Sequence, residues 1–283
     1  MNTPDYFVLY ADMLGFKRLV LRHKVPYPEH LDYRDRAIGH TLGSMLMYGN
    51  PLGEAFKAFH GGIELLINQI NWTTQVSLVV FSDSLFLATT AGKDCMGFAE
   101  QMMTYTIGQE TPMRMGVGYG SFVPYGLAFE ESPRVKLFSS QFFGSGVIYA
   151  VAAEKQLKGL RIALHRSAAD VLSQPAADMY DLQHLPEQVL PLPAAEASEY
   201  ISHEWNYLHR ANDYTMAVDP TARTEAERVN ATLVGHVETM LTKSPNEEEK
   251  IAKLYADTKA ANQRMLDSLA AVYAAAEARP DNQ

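Results

Sequence analysis

Hydrophobic positions in the first 170 residues fall into short apolar runs separated by longer stretches with a helical repeat. Tyr6 to Tyr10, YFVLY, is apolar without alternation, as expected of a strand covered on both faces. Asp12 follows, and Met13-Leu14-Gly15-Phe16 leads into a basic helical stretch, Lys17 to Lys24. A carboxylate is thereby placed where a strand hands over to a helix N-terminus, a location that suits anions and metal ions. Pro26, Pro28 and the charged stretch Asp32 to Arg36 predict a loop, followed by helices over Ala37 to Met47 and Glu54 to Ile70 with a break at Gly49-Asn50-Pro51. Val76 to Phe81 and Leu85 to Thr89 flank Ser82-Asp83-Ser84 and predict a β-hairpin with Asp83 at its tip. Gly92 to Ile107 is amphipathic, with Met96, Ala99, Met102, Met103 and Ile107 on one side. Met113 to Val123 alternates small and apolar residues like a strand that another backbone approaches closely. Gly144-Ser145-Gly146 opens a helix from Val147 to Lys158, and Leu160 to Leu164 reads as a last core strand.

The order strand, helices, hairpin, helix, strand, helix, strand predicts an α+β domain over residues 1–175: a ferredoxin-like antiparallel sheet with helices on one face. Four prolines from Pro175 to Pro193 predict a connection at 176–193. Residues 194–283 read as a helical extension, with helices over Ala194 to Ala211, Thr221 to Leu241 and Glu247 to Ala278 broken at Pro220 and Ser244-Pro245. Such an extension either enlarges a dimer contact or braces the sheet.

Composition narrows the function. With 47% apolar and 20% charged residues the chain is globular rather than disordered. Its net charge of −9, heavier beyond residue 195 than before it, disfavours a general grip on nucleic-acid backbone and leaves room for a local anion pocket in the first part. A single cysteine, Cys95, allows neither an intramolecular disulfide nor a cysteine zinc site, which fits a reducing compartment and a packing role. The start, MNTPDYFVLYADMLGF, has no basic leader region, and no run of ~18 apolar residues occurs, so a cytoplasmic protein without a membrane span is expected. No His-x-x-His, His-Glu-x-x-His or Gly-x-Ser-x-Gly spacing is found and Gly61-Gly62 lacks the Lys-Ser/Thr of a P-loop, so no motif supports zinc hydrolase, serine hydrolase or P-loop chemistry.

Asp12 and Asp83 carry the strongest chemical suggestion. Two carboxylates from adjacent strand ends can chelate one or two divalent ions, because Mg²⁺ and Mn²⁺ prefer hard oxygen ligands and keep positions open for phosphate oxygens. The ordinary alternatives are a helix cap for Asp12 and turn chemistry for Asp83. Met13, Leu14, Gly15 and Phe16 present backbone N–H groups at the beginning of a helix, where a phosphate is favoured. Lys17 and Arg18, one turn on, face either phosphate or water. Arg114-x-Gly116-x-x-x-Gly120 sets a guanidinium at a strand start and glycines where side chains would crowd an apposed surface, so this strand can lie under a nucleotide. Its ordinary alternative is a packed strand with Arg114 paired to a surface acid.

FVLYADMLGF with Asp12, VVFSDS with Asp83 and RMGVGYG from Arg114 to Gly120, in that order, resemble the catalytic domain of class III nucleotidyl cyclases. Ala11 to Phe16, Phe81 to Ser84, GSGVIYAVAAEKQLKGLRI and the helical tail are most similar to the pyrimidine cyclases of bacterial Pycsar anti-phage systems. The resemblance spans roughly residues 5–170. It implies attack of a 3′-hydroxyl on the α-phosphate of a nucleoside triphosphate in a head-to-tail homodimer with composite sites. Two Mg²⁺ or Mn²⁺ ions would be held by Asp12, Asp83 and the Met13 backbone carbonyl, with Arg114 also catalytic. The product would be a second messenger acting on a separate effector, with UTP favoured over CTP, ATP or GTP as substrate.

Purine cyclases carry an Asn and an Arg on the late helix, and this chain has neither there; Tyr149, Lys155, Arg161 or Arg114 are the candidate substitutes. The purine-selecting Lys and Asp positions correspond here to Val79 and Gln141, and a side-chain amide such as Gln141 can read a pyrimidine's carbonyl and ring or amino nitrogen. Tyr48, Tyr149 and Phe16 are candidates for base stacking or for the core. The alternatives are a non-catalytic nucleotide-binding dimerisation module on the same scaffold, or a palm-type polymerase or diguanylate cyclase relative, although the GG-[DE]-E-F hairpin of the last is absent.

Overall fold

A computed structural model describes residues 4–22, 50–125, 141–174, 188–208, 220–242 and 249–278. The helix expected at Ala37 to Met47, Tyr48 and the prolines at 26 and 28 lie outside the described residues. The elements are β1 (Tyr6–Met13), α1 (Phe16–Arg22), α2 (Pro51–Gln69), β2 (Val76–Val80), β3 (Ser84–Thr89), α3 (Gly92–Gly108), β4 (Met113–Gly120), β5 (Val123–Tyr125), β6 (Gln141–Phe143), α4 (Ser145–Gln156), β7 (Ile162–His165), α5 (Arg166–Leu172), β8 (Val189–Pro191), β9 (Ile201–Trp205), α6 (Pro220–Thr242) and α7 (Glu249–Glu277).

Seven strands form one sheet in the order β2-β3-β1-β4-β7-β9-β8, and β5 pairs with β6 separately. The first four strands, in space 2-3-1-4 and all antiparallel, give the ferredoxin-like arrangement that the sequence predicts. β7 adds in parallel to β4, and β9 and β8 follow antiparallel. β1 is central and alternates strictly. Phe7, Leu9, Ala11 and Met13 enter the main core with Phe59 and Ile63 of α2 and Met96, Ala99 and Met103 of α3. Val8, with Tyr6 and Tyr10 beside it, faces a second cluster containing Phe86, Phe122 and Ala150.

That second cluster extends the expected picture, because helices cover both faces of the sheet, not one. α4 lies across β1 and β4 opposite α2 and α3, and glycine makes this possible. A Cβ on Gly116 would stand 2.1 Å from the Ala150 carbonyl oxygen, and one on Gly118 would stand 2.6 Å from Tyr149 Cβ. Ala150 and Ala153 are the small residues on the facing side of the helix. Its start is pinned to the end of β4 by reciprocal bonds: Ser121 N–H to Ser145 Oγ at 3.1 Å and Ser145 N–H to Ser121 Oγ at 3.0 Å.

The stretch Ala194 to Ala211, expected as helix, contains β9 instead. Ile201 and Trp205 are buried there against the sheet, and tertiary packing overrides a composition that suits a helix. α6 and α7 form as predicted, and they brace the sheet. α6 packs on α3, while α7 offers Thr258 Oγ1 to the Leu160 N–H at 3.0 Å and Asn262 Oδ1 to the Tyr207 hydroxyl at 2.7 Å. Where α7 meets β9 lies the most buried charge of the described residues. Arg161 donates to Glu204 at 2.6 Å and also to Glu196, and Arg264 reaches Glu204 at 2.9 Å. Among the described residues no helix is long and apolar enough to cross a membrane.

Candidate active site

Asp12 lies inside β1, one residue before its end, rather than beyond it. It stands opposite Ser84 on one side and Arg114 on the other, and directly opposed residues share a face, so all three side chains rise from the surface that α4 partly covers. Asp83, at the tip of the hairpin as predicted, is drawn to the same corner by a backbone bond from the Met13 N–H to its carbonyl at 2.8 Å. The Phe81 N–H to Ser84 carbonyl bond at 2.7 Å closes the turn, Ser82 donates to the Asp83 carboxylate at 3.1 Å, and His60 of α2 contacts the Ser82 carbonyl at 3.2 Å. Because a strand residue's N–H and C=O point to the same neighbour, the Met13 carbonyl also faces the hairpin.

The charges at this corner are unevenly matched. Burial raises the Asp12 carboxyl above its ordinary value; Arg114 pulls it down and the Asp83 carboxylate pushes it up again. Arg114 Nη2 lies 3.6 Å from Asp12 and 2.5 Å from Glu154 of α4, whose side chain is only 3% exposed. The acid partner of Arg114 is therefore a buried helix residue and not a surface one. Burial likewise raises Glu154, against the lowering by Arg114. Tyr10, stacked on Phe86 at 4.6 Å, has its hydroxyl beside Asp12 and Ser84; burial and then Asp12 push its pKa up to about 12.

The loop after β1 is only partly as expected. The Met13 N–H is taken by Asp83, and the Leu14 N–H donates to the Pro112 carbonyl at 2.8 Å, so neither is offered to a phosphate. Gly15 at φ +78° and Phe16 at the head of α1 are left for that role. Gln141 is exposed on β6, the strand whose Phe142 packs on Phe86 at 4.8 Å. Tyr149 stands elsewhere. It covers Gly118, four residues along β4 from Arg114 or about 13 Å at strand rise, and stacks on His165 at 4.2 Å. Arg161 is committed to Glu204 and Glu196, and Lys155 is exposed. α4 itself, Ser145–Gln156, carries neither an Asn nor an Arg. Cys95 is fully buried with its thiol pushed up by burial, as a packing residue should be.

Sequence reasoning passed over Glu154 and Tyr10. Glu154 did leave a signal: it falls four residues after Ala150, on the small-residue face that meets the glycines of β4, where a lone acid needs a partner. Asp12 and Asp83 are hard oxygen donors that approach one corner from two strands, while Glu154 is taken by Arg114; among the described residues no group of three or more His, Cys, Asp or Glu side chains is placed to hold a metal ion.

No protein-family model matches the chain, and no curated protein matches it. Solved structures with a similar fold include the guanylyl cyclase Cya2, at 9% identity and TM-score 0.41 over 71% of this chain and 91% of that one. Another is the dimeric guanylyl cyclase domain of the RhoGC fusion protein from the aquatic fungus Blastocladiella emersonii, at 12% identity and TM-score 0.44 over 71% and 93%. A third is an adenylate cyclase from Trypanosoma brucei in its monomeric state, at 11% identity and TM-score 0.43 over 72% and 90%.

Proposed function

We propose that this chain is a metal-dependent nucleotidyl cyclase acting on a pyrimidine nucleoside triphosphate, UTP before CTP, in a homodimer with composite sites. Its product is then a cyclic nucleotide messenger of anti-phage defence, read by a separate effector. What supports the cyclase reading is one observation: Asp12 and Asp83, distant in sequence, meet at one sheet corner, where the single arginine beside them, Arg114, is shared with Glu154. Two Mg²⁺ or Mn²⁺ ions bound there supply a lowered pKa at the attacking hydroxyl and neutralise the triphosphate.

The chain's own contribution is positioning and screening. Asp12, Asp83 and the Met13 carbonyl would hold the ions. Gly15, Phe16 and Arg114 approach the phosphate chain. The 3′-oxygen bonds to the α-phosphorus as the bond from that phosphorus to the bridging oxygen breaks; pyrophosphate leaves and the hydroxyl proton passes to solvent. Val79 and Gln141, in place of purine-selecting residues, support a pyrimidine, with Gln141 both donating and accepting at the base edge. Tyr149 is too far from its own Asp12 to serve that site and has a place only in the partner's half.

The test incubates the purified chain with each of the four ribonucleoside triphosphates and Mn²⁺ and follows pyrophosphate and cyclic product. Cyclic UMP is expected. Product from ATP or GTP alone would reassign the base, and an elution mass near that of a monomer would remove the composite site. No product from any triphosphate would favour the second reading, a non-catalytic nucleotide-binding module. That reading is motivated by Arg114 lying against Asp12 and by the absence of an Asn/Arg pair from α4.

A further inference from the structure

Arg114 is shared unequally between two acids. Its Nη2 is 2.5 Å from Glu154 Oε1 and 3.6 Å from Asp12 Oδ2, and its Nε is buried with no acceptor among the described residues. Glu154 Oε1 is likewise buried without a hydrogen-bond partner, so the two groups are held as an ion pair by charge and proximity, and the aim of the guanidinium is set by its balance between the two acids. Without Glu154, Asp12 is the acid that stays within ion-pair distance of the same side chain. A full Arg114–Asp12 pair would then occupy the carboxylate that a cation needs.

We propose that Glu154 is a positioning residue which draws Arg114 off Asp12, keeping the Asp12 carboxylate available to a divalent cation and Arg114 poised beside the incoming phosphates. The proposal rests on the cyclase reading for the phosphates but not for the cation. Glu154 is placed for this by α4. Gly116 lets the helix backbone approach so closely that a Cβ there would lie 2.3 Å from the Glu154 amide nitrogen, and the buried carboxylate has Arg114 as the ion-pair partner within reach.

The experiment titrates Mn²⁺ alone into the full chain by electron paramagnetic resonance, without nucleotide. Glu154→Gln is expected to weaken Mn²⁺ binding about tenfold and Arg114→Ala to tighten it. In the Arg114→Ala background Glu154→Gln should cost no more than about threefold, the residue of a lost negative charge at a distance. Equal loss in both backgrounds, or no loss in either, overturns the proposal. Glu154→Asp keeps the charge in the same pocket but shortens its reach; it should fold where Gln does not, and is expected to weaken Mn²⁺ by a smaller factor in the presence of Arg114 only. Asp12→Asn supplies the control: if it leaves Mn²⁺ binding unchanged, the ion is not at this corner and both readings fall. If Mn²⁺ binding depends on Asp12 and on the Glu154–Arg114 coupling but no triphosphate is cyclised, the cyclase reading alone fails. If the chain cyclises and the Glu154 variants bind Mn²⁺ as the parent does, only the Glu154 proposal fails.

Discussion

Two clusters of arginine and acid lie on this sheet, and they differ in how completely their charges are matched. At the β7–β9–α7 junction, two arginines meet two glutamates: Arg161 with Glu204 and Glu196, and Arg264 with the same pair. Burial works to discharge Arg161, but the hydrogen bonds and charges of Glu204 and Glu196 outweigh it and hold its pKa above the ordinary value. At the β1–β3–β4 corner, one arginine faces Asp12 and Glu154 with Asp83 nearby, and burial leaves Asp12 and Glu154 raised instead. The first cluster balances two arginines against two glutamates and holds the C-terminal helix to the sheet. The second sets three carboxylates against one arginine and is left with an excess of negative charge.

The contrast breaks most sharply under substitution. Asp12→Ala and Asp83→Ala should each abolish cyclic nucleotide formation, a loss of at least ~10³-fold, while the circular dichroism spectrum and unfolding midpoint stay near those of the parent. Unfolding of either variant would assign the corner a structural role. Glu204→Ala should do the reverse. It leaves the buried Arg161 with Glu196 alone, and removing one member of a buried ion-pair cluster costs about 3–5 kcal/mol in urea unfolding; a loss below ~1 kcal/mol would show the cluster is well hydrated.

Gly116→Ala couples the regions through packing, since its methyl would meet the α4 backbone at Ala150 and Glu154. A destabilisation of about 1–3 kcal/mol is expected, together with reduced turnover because Glu154 moves with the helix. Full activity with unchanged stability would place α4 elsewhere.

The smallest effect is the most diagnostic. Asp12 and Glu154 are raised in the fold, so in this pair the folded state binds more protons than the unfolded one, and their contribution to stability falls as pH rises from the ordinary carboxylate value of about 4 through the raised values. The difference in urea midpoint between the parent and Asp12→Asn should therefore grow in the variant's favour over that window, and Mn²⁺ should cancel it. A difference that is flat with pH would mean that Asp12 is not raised.

Much of this was legible in the sequence wherever a local pattern carries the information. YFVLY, the VVFSDS hairpin and the methionine-lined helix follow from periodicity and turn residues, and Asp83 at the hairpin tip follows from the spacing alone. Ala194 to Ala211 misled because its composition suits a helix, while a vacant edge beside β7 made it a strand. Met13 and Leu14 misled because a free N–H after a strand looks the same in sequence as one already bonded to Asp83 or Pro112. Glu154 was visible only as an acid on a small-residue helix face, since nothing in the order of residues says which arginine it meets.

The amino-acid order by itself determined where strands and helices form along most of the chain, because hydrophobic spacing and turn chemistry act between near neighbours. It also determined that two aspartates end up near strand ends. Only the tertiary structure decided that those aspartates share a corner, that Arg114 divides itself between Asp12 and Glu154, and that Arg161 is spent on the C-terminal helix. Charge pairing depends on distances of a few ångströms between residues about 30 to 100 positions apart, and those distances are set by register and packing, not by sequence spacing.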